Sequence, residues 1–250
     1  GPANSMNNPS ATDFKRTLAQ TDSRGASFFV DFPGVVGFEI RKLDLDLDVE
    51  TIHEWFNNPS GTYWGMQGSS VAEVRAQYEG LMRLDHHDVF IGLLSSTGKP
   101  AFLLERYRPT EDIFGTFFDV KDTDISRHMF IAPTDKPISN FTKYVFAASL
   151  EFAFHDPFVQ RVIGEPDIRN TRVIALIQQL GYQFGKVIQL PDKTAIICYL
   201  TREGFNEVKL KPVPPKVAQP VPPLKLKYHV FIGKVRRKLI RMLRGGQANQ

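Results

Sequence analysis

Residues 161–170 read Arg161-Val162-Ile163-Gly164-Glu165-Pro166-Asp167-Ile168-Arg169-Asn170, and this stretch decides the fold. Val162 and Ile163 suit a buried strand, and Gly164 with Pro166 ends it. Asn170 stands ahead of residues 171–180, whose apolar spacing is helical and which Gly181 closes. Upstream lie a long apolar helical run at 141–155 and a short strand, His128-Met129-Phe130-Ile131. Strand, helix, strand in that order predicts a parallel crossover, because parallel neighbours need a connection long enough to return over the sheet. On either side the pattern is antiparallel. Residues 89–94 and 100–106 alternate around the turn Ser95-Ser96-Thr97-Gly98, residues 114–120 pair with 128–131, and residues 184–190 pair with 194–201 about Pro191-Asp192-Lys193. Nearer the amino terminus, Phe38, Ile40, Leu43, Leu45 and Leu47 fit a strand with one phase change, with Asp44, Asp46 and Asp48 opposite. Helices are expected at 49–58 and 71–84, around a Gly-containing turn at 61–70. The whole predicts a mixed α/β domain, mostly antiparallel, with a strand-helix-strand crossover at its centre.

Composition narrows the function classes. With 42% apolar and 23% charged residues in 250, the chain is neither disordered nor fibrous. A single cysteine, Cys198, excludes an intramolecular disulfide and a cysteine-cluster zinc site, and reads as cytoplasmic and buried between strand neighbours. No run is long and apolar enough to cross a bilayer, and the amino terminus does not have the composition of a secretory signal. The net charge of +4 hides a split. Eleven of the 31 Lys and Arg, and none of the 27 Asp and Glu, fall at 208–250, which leaves residues 1–207 with 20 basic against 27 acidic side chains. Such a body repels phosphate backbones, so nucleic acid is not an expected partner. Residues 1–35 read as a cloning remnant (Gly1 to Ser5) and a mobile polar arm, residues 36–206 as the folded domain, and 207–224 as a Pro-rich spacer. In 225–250, Tyr228, Phe231, Val235, Leu239 and Met242 share a helical stripe opposite Lys234, Arg237, Lys238 and Arg241, a basic amphipathic helix.

The crossover ending in Gly164 to Asn170 and its following helix resemble the acyl-CoA-binding half of the GNAT acetyltransferases. Four segments narrow the resemblance: Tyr63-Trp64-Gly65-Met66-Gln67, Leu104-Glu105-Arg106-Tyr107-Arg108-Pro109, His128 at the head of a strand, and Glu165 to Asn170. In this order they are similar to the N-acyltransferases of hydroxamate siderophore biosynthesis, as in the aerobactin, mycobactin, alcaligin and desferrioxamine pathways. The resemblance implies a GNAT fold over about residues 37–204. It also implies acetyl-CoA or succinyl-CoA as co-substrate without a metal, and an N-hydroxylated diamine or lysine as acceptor. Such enzymes are also fused to siderophore synthetases, which makes the tail a linker to such a domain, with an anionic membrane surface or the acidic body as the alternative resting place.

The resemblance further implies His128 and Asp167 as the catalytic pair, the first as general base, the second as its orienting partner or as a ligand of the substrate amine. The acyl-CoA is assigned to the strand end Phe130, Ile131 and Ala132, to the helix start Ser139, Asn140, Phe141, Thr142 and Lys143, and to Asn170. Trp64, Gln67, Glu105 and Tyr107 are assigned to the acceptor. One departure stands out: residues 131–141 contain no glycine where GNAT enzymes carry a Gly-rich phosphate loop, so the helix amino terminus itself is left to meet the phosphates.

Taken from the residues alone, each assignment has a plainer counterpart. A strand histidine can simply face solvent. Asp167 or Asn170 can cap the next helix. Trp64 can fill a core instead of closing over a ligand, and Glu105 can pair with Arg106 or Arg108 across the sheet. The cluster Asp85-His86-His87-Asp88 reads as a solvated helix end, since adjacent histidines diverge, and the alternating aspartates at 44–48 as a solvated strand face. Two other readings of the chain stay open: acetylation of an aminoglycoside, polyamine or protein amine, and a degenerate domain that binds without catalysis.

Overall fold

The computed structural model describes residues 27–109, 119–191 and 193–209. One eight-stranded sheet runs through them in the order β1-β2-β3-β4-β5-β6-β8-β7. Its strands are β1 (Phe28–Phe32), β2 (Val36–Lys42), β3 (His87–Leu94), β4 (Pro100–Tyr107), β5 (Asp124–Ile131), β6 (Arg161–Gly164), β7 (Gln183–Gln189) and β8 (Thr194–Thr201). Every neighbouring pair is antiparallel except β5 and β6. Helix α3 (Phe141–His155) makes that parallel connection, as the central crossover requires.

The helices cover both faces. Helices α1 (Leu45–Asn57) and α2 (Val71–Arg83) lay Ile52, Phe56, Val74 and Tyr78 on Val89, Ile91, Leu103 and Phe130. On the other face α3 sets Val145, Ala148 and Phe152 against Phe38, Phe90 and Phe102. Helix α4 (Thr171–Gln179) joins α3 over β6 and β8 through Ile177, Leu150 and Leu200. Because β3 and β4 are covered on both sides, almost all their residues are buried, and side-chain parity alone decides which face each serves.

Four expectations are corrected. The strand at 38–47 stops at Lys42, and the alternating Asp and Leu residues enter α1 instead. Asp44 takes the cap position and accepts the Asp46 amide, while buried Asp48 accepts the Asp44 amide and a two-point contact from Arg41 at 2.8 Å. Negative charge in a first helical turn suits the amide end of the helix, an advantage a solvated strand face lacks. Second, the arm assigned to 1–35 includes β1, which pairs with β2 and seats Phe28 on Phe152. Third, the turn at 61–70 begins within a 3-10 helix, Pro59–Trp64, stopped by left-handed Gly65. Fourth, the domain does not end at 206: α5 (Arg202–Lys209) packs Phe205 on Phe154. The strand expected at 114–120 falls mostly outside the described residues, and the spacer and basic helix beyond 209 wholly so.

Candidate active site

Strands β5 and β6 start together and then part. Their register holds only Asp124 with Arg161 and Ile125 with Val162, whereas β5 stays paired with β4 as far as Ile131. At the root, Asp124 is fully buried and receives Arg161 at 2.6 and 2.8 Å, and Ser126 Oγ donates to the Ile163 carbonyl at 3.0 Å. Antiparallel pairing says which backbone groups the divergence leaves over. Ala132 donates to Ala101 across β4, so the even residues of β5 bond to β4. The odd residues Arg127, Met129 and Ile131 therefore turn their N–H and C=O groups toward the gap. Ile131 already has a partner there, since its backbone hydrogen-bonds the Tyr63 hydroxyl, whose burial pushes the phenol up to about 12.

A cavity of about 850 Å³, counting the space open to solvent at its mouth, follows this gap. From the α1/α2 face Tyr63, Trp64, Tyr107 and His128 line it, and from the α3/α4 face Arg127, Phe146, Val173 and Ile177. The far strand contributes Gly164 and Glu165, and β8 contributes Cys198. His128 and Tyr107 face the same side from adjacent strands, and the Tyr107 hydroxyl lies 3.2 Å from His128 Nε2. His87 stacks on the outer face of Tyr107 at 5.1 Å, so the phenol ring is held between two imidazoles.

Across the gap Glu165 is buried, and burial raises its pKa; Lys193, buried beside it, donates from Nζ to the Glu165 carbonyl at 2.7 Å and is itself pushed down by burial. At the wide end, the turn into α3 carries Asn140 at φ 60, the one non-glycine residue with positive φ among the described residues. Asparagine tolerates that conformation better than other side chains, so a loop without glycine still reaches the left-handed turn. The Asn140 side chain makes no cap hydrogen bond, and at the opening of α3 the Phe141 and Lys143 amides turn to the Ile138 and Asn140 carbonyls.

Comparison with known proteins supplies the family. Residues 44–190 match the model of the acetyltransferase (GNAT) domain, more than half of the chain. The chain belongs to the GNAT family. An N-hydroxyputrescine acetyltransferase of Acinetobacter baumannii is 22% identical over 181 residues, covering 72% of this chain and 86% of that protein. Among solved structures, an uncharacterized protein from Bacillus halodurans aligns at a TM-score of 0.64 with 23% identity, over 73% of this chain and 94% of the other. The aminoglycoside acetyltransferase AAC(6')-Ib in complex with coenzyme A aligns at 0.59 with 19% identity, over 69% and 99%. As a GNAT enzyme the chain is an N-acyltransferase that acts on amines.

Within this GNAT domain the residues singled out from the sequence do not all meet. His128, Tyr107 and Trp64 line the cavity together. Trp64 does so while buried, its Nε1 donating to the Tyr78 hydroxyl at 3.1 Å, so it fills core and wall at once. Gln67 does not reach the cavity; it is exposed and bonds to the Asn57 and Asn58 carbonyls. Glu105 is buried directly opposite His128 in the β4–β5 register, on the same face but not on the cavity wall. Asp167 makes no contact with His128, which removes the expected orienting pair. Its buried carboxylate accepts from the Arg169 guanidinium at 2.6 Å and from the Arg169 amide, and this holds it below the usual carboxylate range. Asn170 caps α4 by accepting the Val173 amide at Oδ1, while its Nδ2 is buried without an acceptor. Phe130 belongs to the core, stacked on Trp55 and Tyr63. Ile131 and Ala132 continue the strand edge, Phe141 packs on Phe38, and Ser139, Asn140, Thr142 and Lys143 ring the amino terminus of α3.

The sequence reading missed Glu165, Arg127, Tyr63 and Cys198. Cys198 is buried between its strand neighbours, as expected, and pairing of β6 with β8 sets it opposite Gly164. A Cβ built on Gly164 would stand 3.0 Å from the Cys198 sulfur, so the glycine keeps this part of the wall open. Burial pushes the Cys198 thiol far up, which keeps it protonated and a poor nucleophile. Iodoacetamide at pH 8 should therefore leave the native enzyme unlabelled and alkylate it once unfolded, read by intact mass. Rapid labelling of the native chain would show an activated thiol.

Proposed function

We propose that this enzyme transfers an acyl group from acyl-CoA to the hydroxylamino nitrogen of an N-hydroxylated diamine, of the putrescine or cadaverine type, or of N-hydroxylysine, forming a hydroxamate. The observation that carries the reading is the His128–Tyr107 pair on the wall of a gap edged by unpaired β5 backbone. Likeness to an N-hydroxyputrescine acetyltransferase supports the acceptor class.

The residues present fit a CoA thioester. Backbone groups of Met129 and Ile131 face the gap, apolar Phe146, Val173 and Ile177 flank it, and the α3 amino terminus with Asn140, Thr142 and Lys143 offers amide and positive charge to phosphates. When bound, acyl-CoA supplies the activated carbonyl. An amide N–H of β5 then donates toward the carbonyl oxygen as negative charge develops there. The acceptor nitrogen attacks from the His128 side, its proton passes to the imidazole, directly or across the Tyr107 hydroxyl, which sits in contact with Nε2, and the carbon–sulfur bond breaks as CoA leaves as its thiolate, to be protonated from solvent. A hydroxylated amine is much less basic than an alkylamine and arrives largely unprotonated, so one modest base suffices. Asp167, buried and held at both oxygens by Arg169, stands off the cavity wall, so the role of substrate-amine ligand that the resemblance implied has no contact in this geometry to carry it.

CoA release measured with hydroxylated and plain forms of the same diamine at one pH tests the reading. The hydroxylated form is expected to react at least tenfold faster. Equal or reversed rates, or preference for an aminoglycoside, would replace the acceptor, and absence of any CoA binding would leave a non-catalytic binding module.

A further inference from the structure

We propose that Arg127 reads a carboxylate on the ligand, so that the enzyme is built for an acyl donor whose chain ends in an acid, such as succinyl-CoA. This rests on the acyl-CoA reading of the gap. Arg127 lines the cavity, yet among the described residues its partners include no carboxylate. It donates to the Tyr182 hydroxyl at 2.8 Å and to Ser149 Oγ, touches Met129 sulfur at 3.3 Å, and lies over the Phe146 ring at 5.2 Å. Its Nε–H is buried with no acceptor. The acid that shares the cavity, Glu165, has Lys193 as its opposite charge. A partly buried guanidinium whose partners are neutral and whose Nε–H is buried without an acceptor is costly, and a ligand carboxylate removes that cost with a charge-assisted bond.

Position favours the donor as the source of that carboxylate. The gap narrows toward Ser126 and Ile163 and widens toward the α3 amino terminus, so a CoA whose phosphates lie at α3 points its acyl end at the root. Arg127 is the gap-facing residue nearest that root. It lies two residues, about 7 Å, from Met129, whose amide faces the thioester region. A four-carbon acyl chain spans from one to the other, whereas an acetyl group stops short. The α-carboxylate of an amino-acid acceptor is the second source of the same chemistry.

Calorimetry with acetyl-CoA and succinyl-CoA, without acceptor, and CoA-release rates for both donors with N-hydroxycadaverine and N-hydroxylysine, distinguish these sources. The native enzyme is expected to favour succinyl-CoA by roughly tenfold or more in affinity and in kcat/KM, chiefly through KM. Arg127→Gln is expected to erase that ratio and Arg127→Lys to restore part of it, with thermal melting of each variant confirming a folded chain. If instead Arg127→Gln erases a preference for N-hydroxylysine over N-hydroxycadaverine, the carboxylate is the acceptor's and Arg127 still reads it. If neither ratio differs between native enzyme and Arg127→Gln, the inference fails while the acyl-CoA reading stands. If neither thioester binds, the acyl-CoA reading itself has failed.

Discussion

Replacing His128 with Gln is expected to lower kcat roughly 10²- to 10⁴-fold, the usual contribution of a positioned general base, with little change in melting temperature. The imidazole is only partly buried and lies against the Tyr107 hydroxyl, so glutamine keeps a polar group near that hydroxyl while losing the proton acceptor. Tyr107→Phe is expected to lose less, about tenfold, since the ring still packs between His87 and His128. Steady-state CoA release against pH checks both. A His128→Gln enzyme within threefold of native at every pH would remove His128 from the chemistry.

Asp124→Asn should be the most damaging single polar change to the fold. Asp124 is fully buried where β5 and β6 still pair, and it satisfies Arg161 at two points together with the Lys121 amide at 2.7 Å. Removing its charge leaves the Arg161 guanidinium, only 20% exposed, without its counter-ion. Breaking such a pair costs about 3 kcal/mol or more, which for a domain of this size lowers the melting temperature by roughly 6–12 °C. Because the pair pins the root of the gap, KM for acyl-CoA should rise along with the loss of stability. Calorimetric melting and acyl-CoA titration of the variant check this, and a native melting temperature would mean the pair does not hold the strands.

The crossover could be read from the chain because its signals are local. Gly164 and Pro166 stop a strand, the helix at 141–155 is long and apolar, and the hairpin turn at 95–98 announces itself by composition. His128 was legible for the same reason, standing on the strand that precedes the crossover helix. Asp44 to Asp48 misled because alternating acid and leucine fits a strand face and a capped helix start equally well, and only the reach of Arg41 to Asp48 settles the matter. Phe28 and its neighbours fell within the arm assigned to 1–35 because their burial depends on α3, more than a hundred residues away. Glu165, Arg127 and Cys198 were missed on similar grounds. Each is unremarkable where it stands, Arg127 and Cys198 within strands and Glu165 just past β6, and they share a wall only once β8 pairs with β6 and β5 leaves it. Asn140 carried a usable sign, as an asparagine just before a helix in a loop lacking glycine.

The central claim is that acyl-CoA lies along the β5 edge where β6 has departed. Amide hydrogen exchange of β5, followed by NMR with and without CoA at a concentration where calorimetry shows binding, tests it most directly. The amide of Met129, which faces the gap, should become strongly protected, while those of His128 and Phe130, already bonded to β4, and of Ile131, already held by the Tyr63 hydroxyl, should change little. Bound CoA that leaves Met129 exchanging as before would place the cofactor elsewhere and contradict the account.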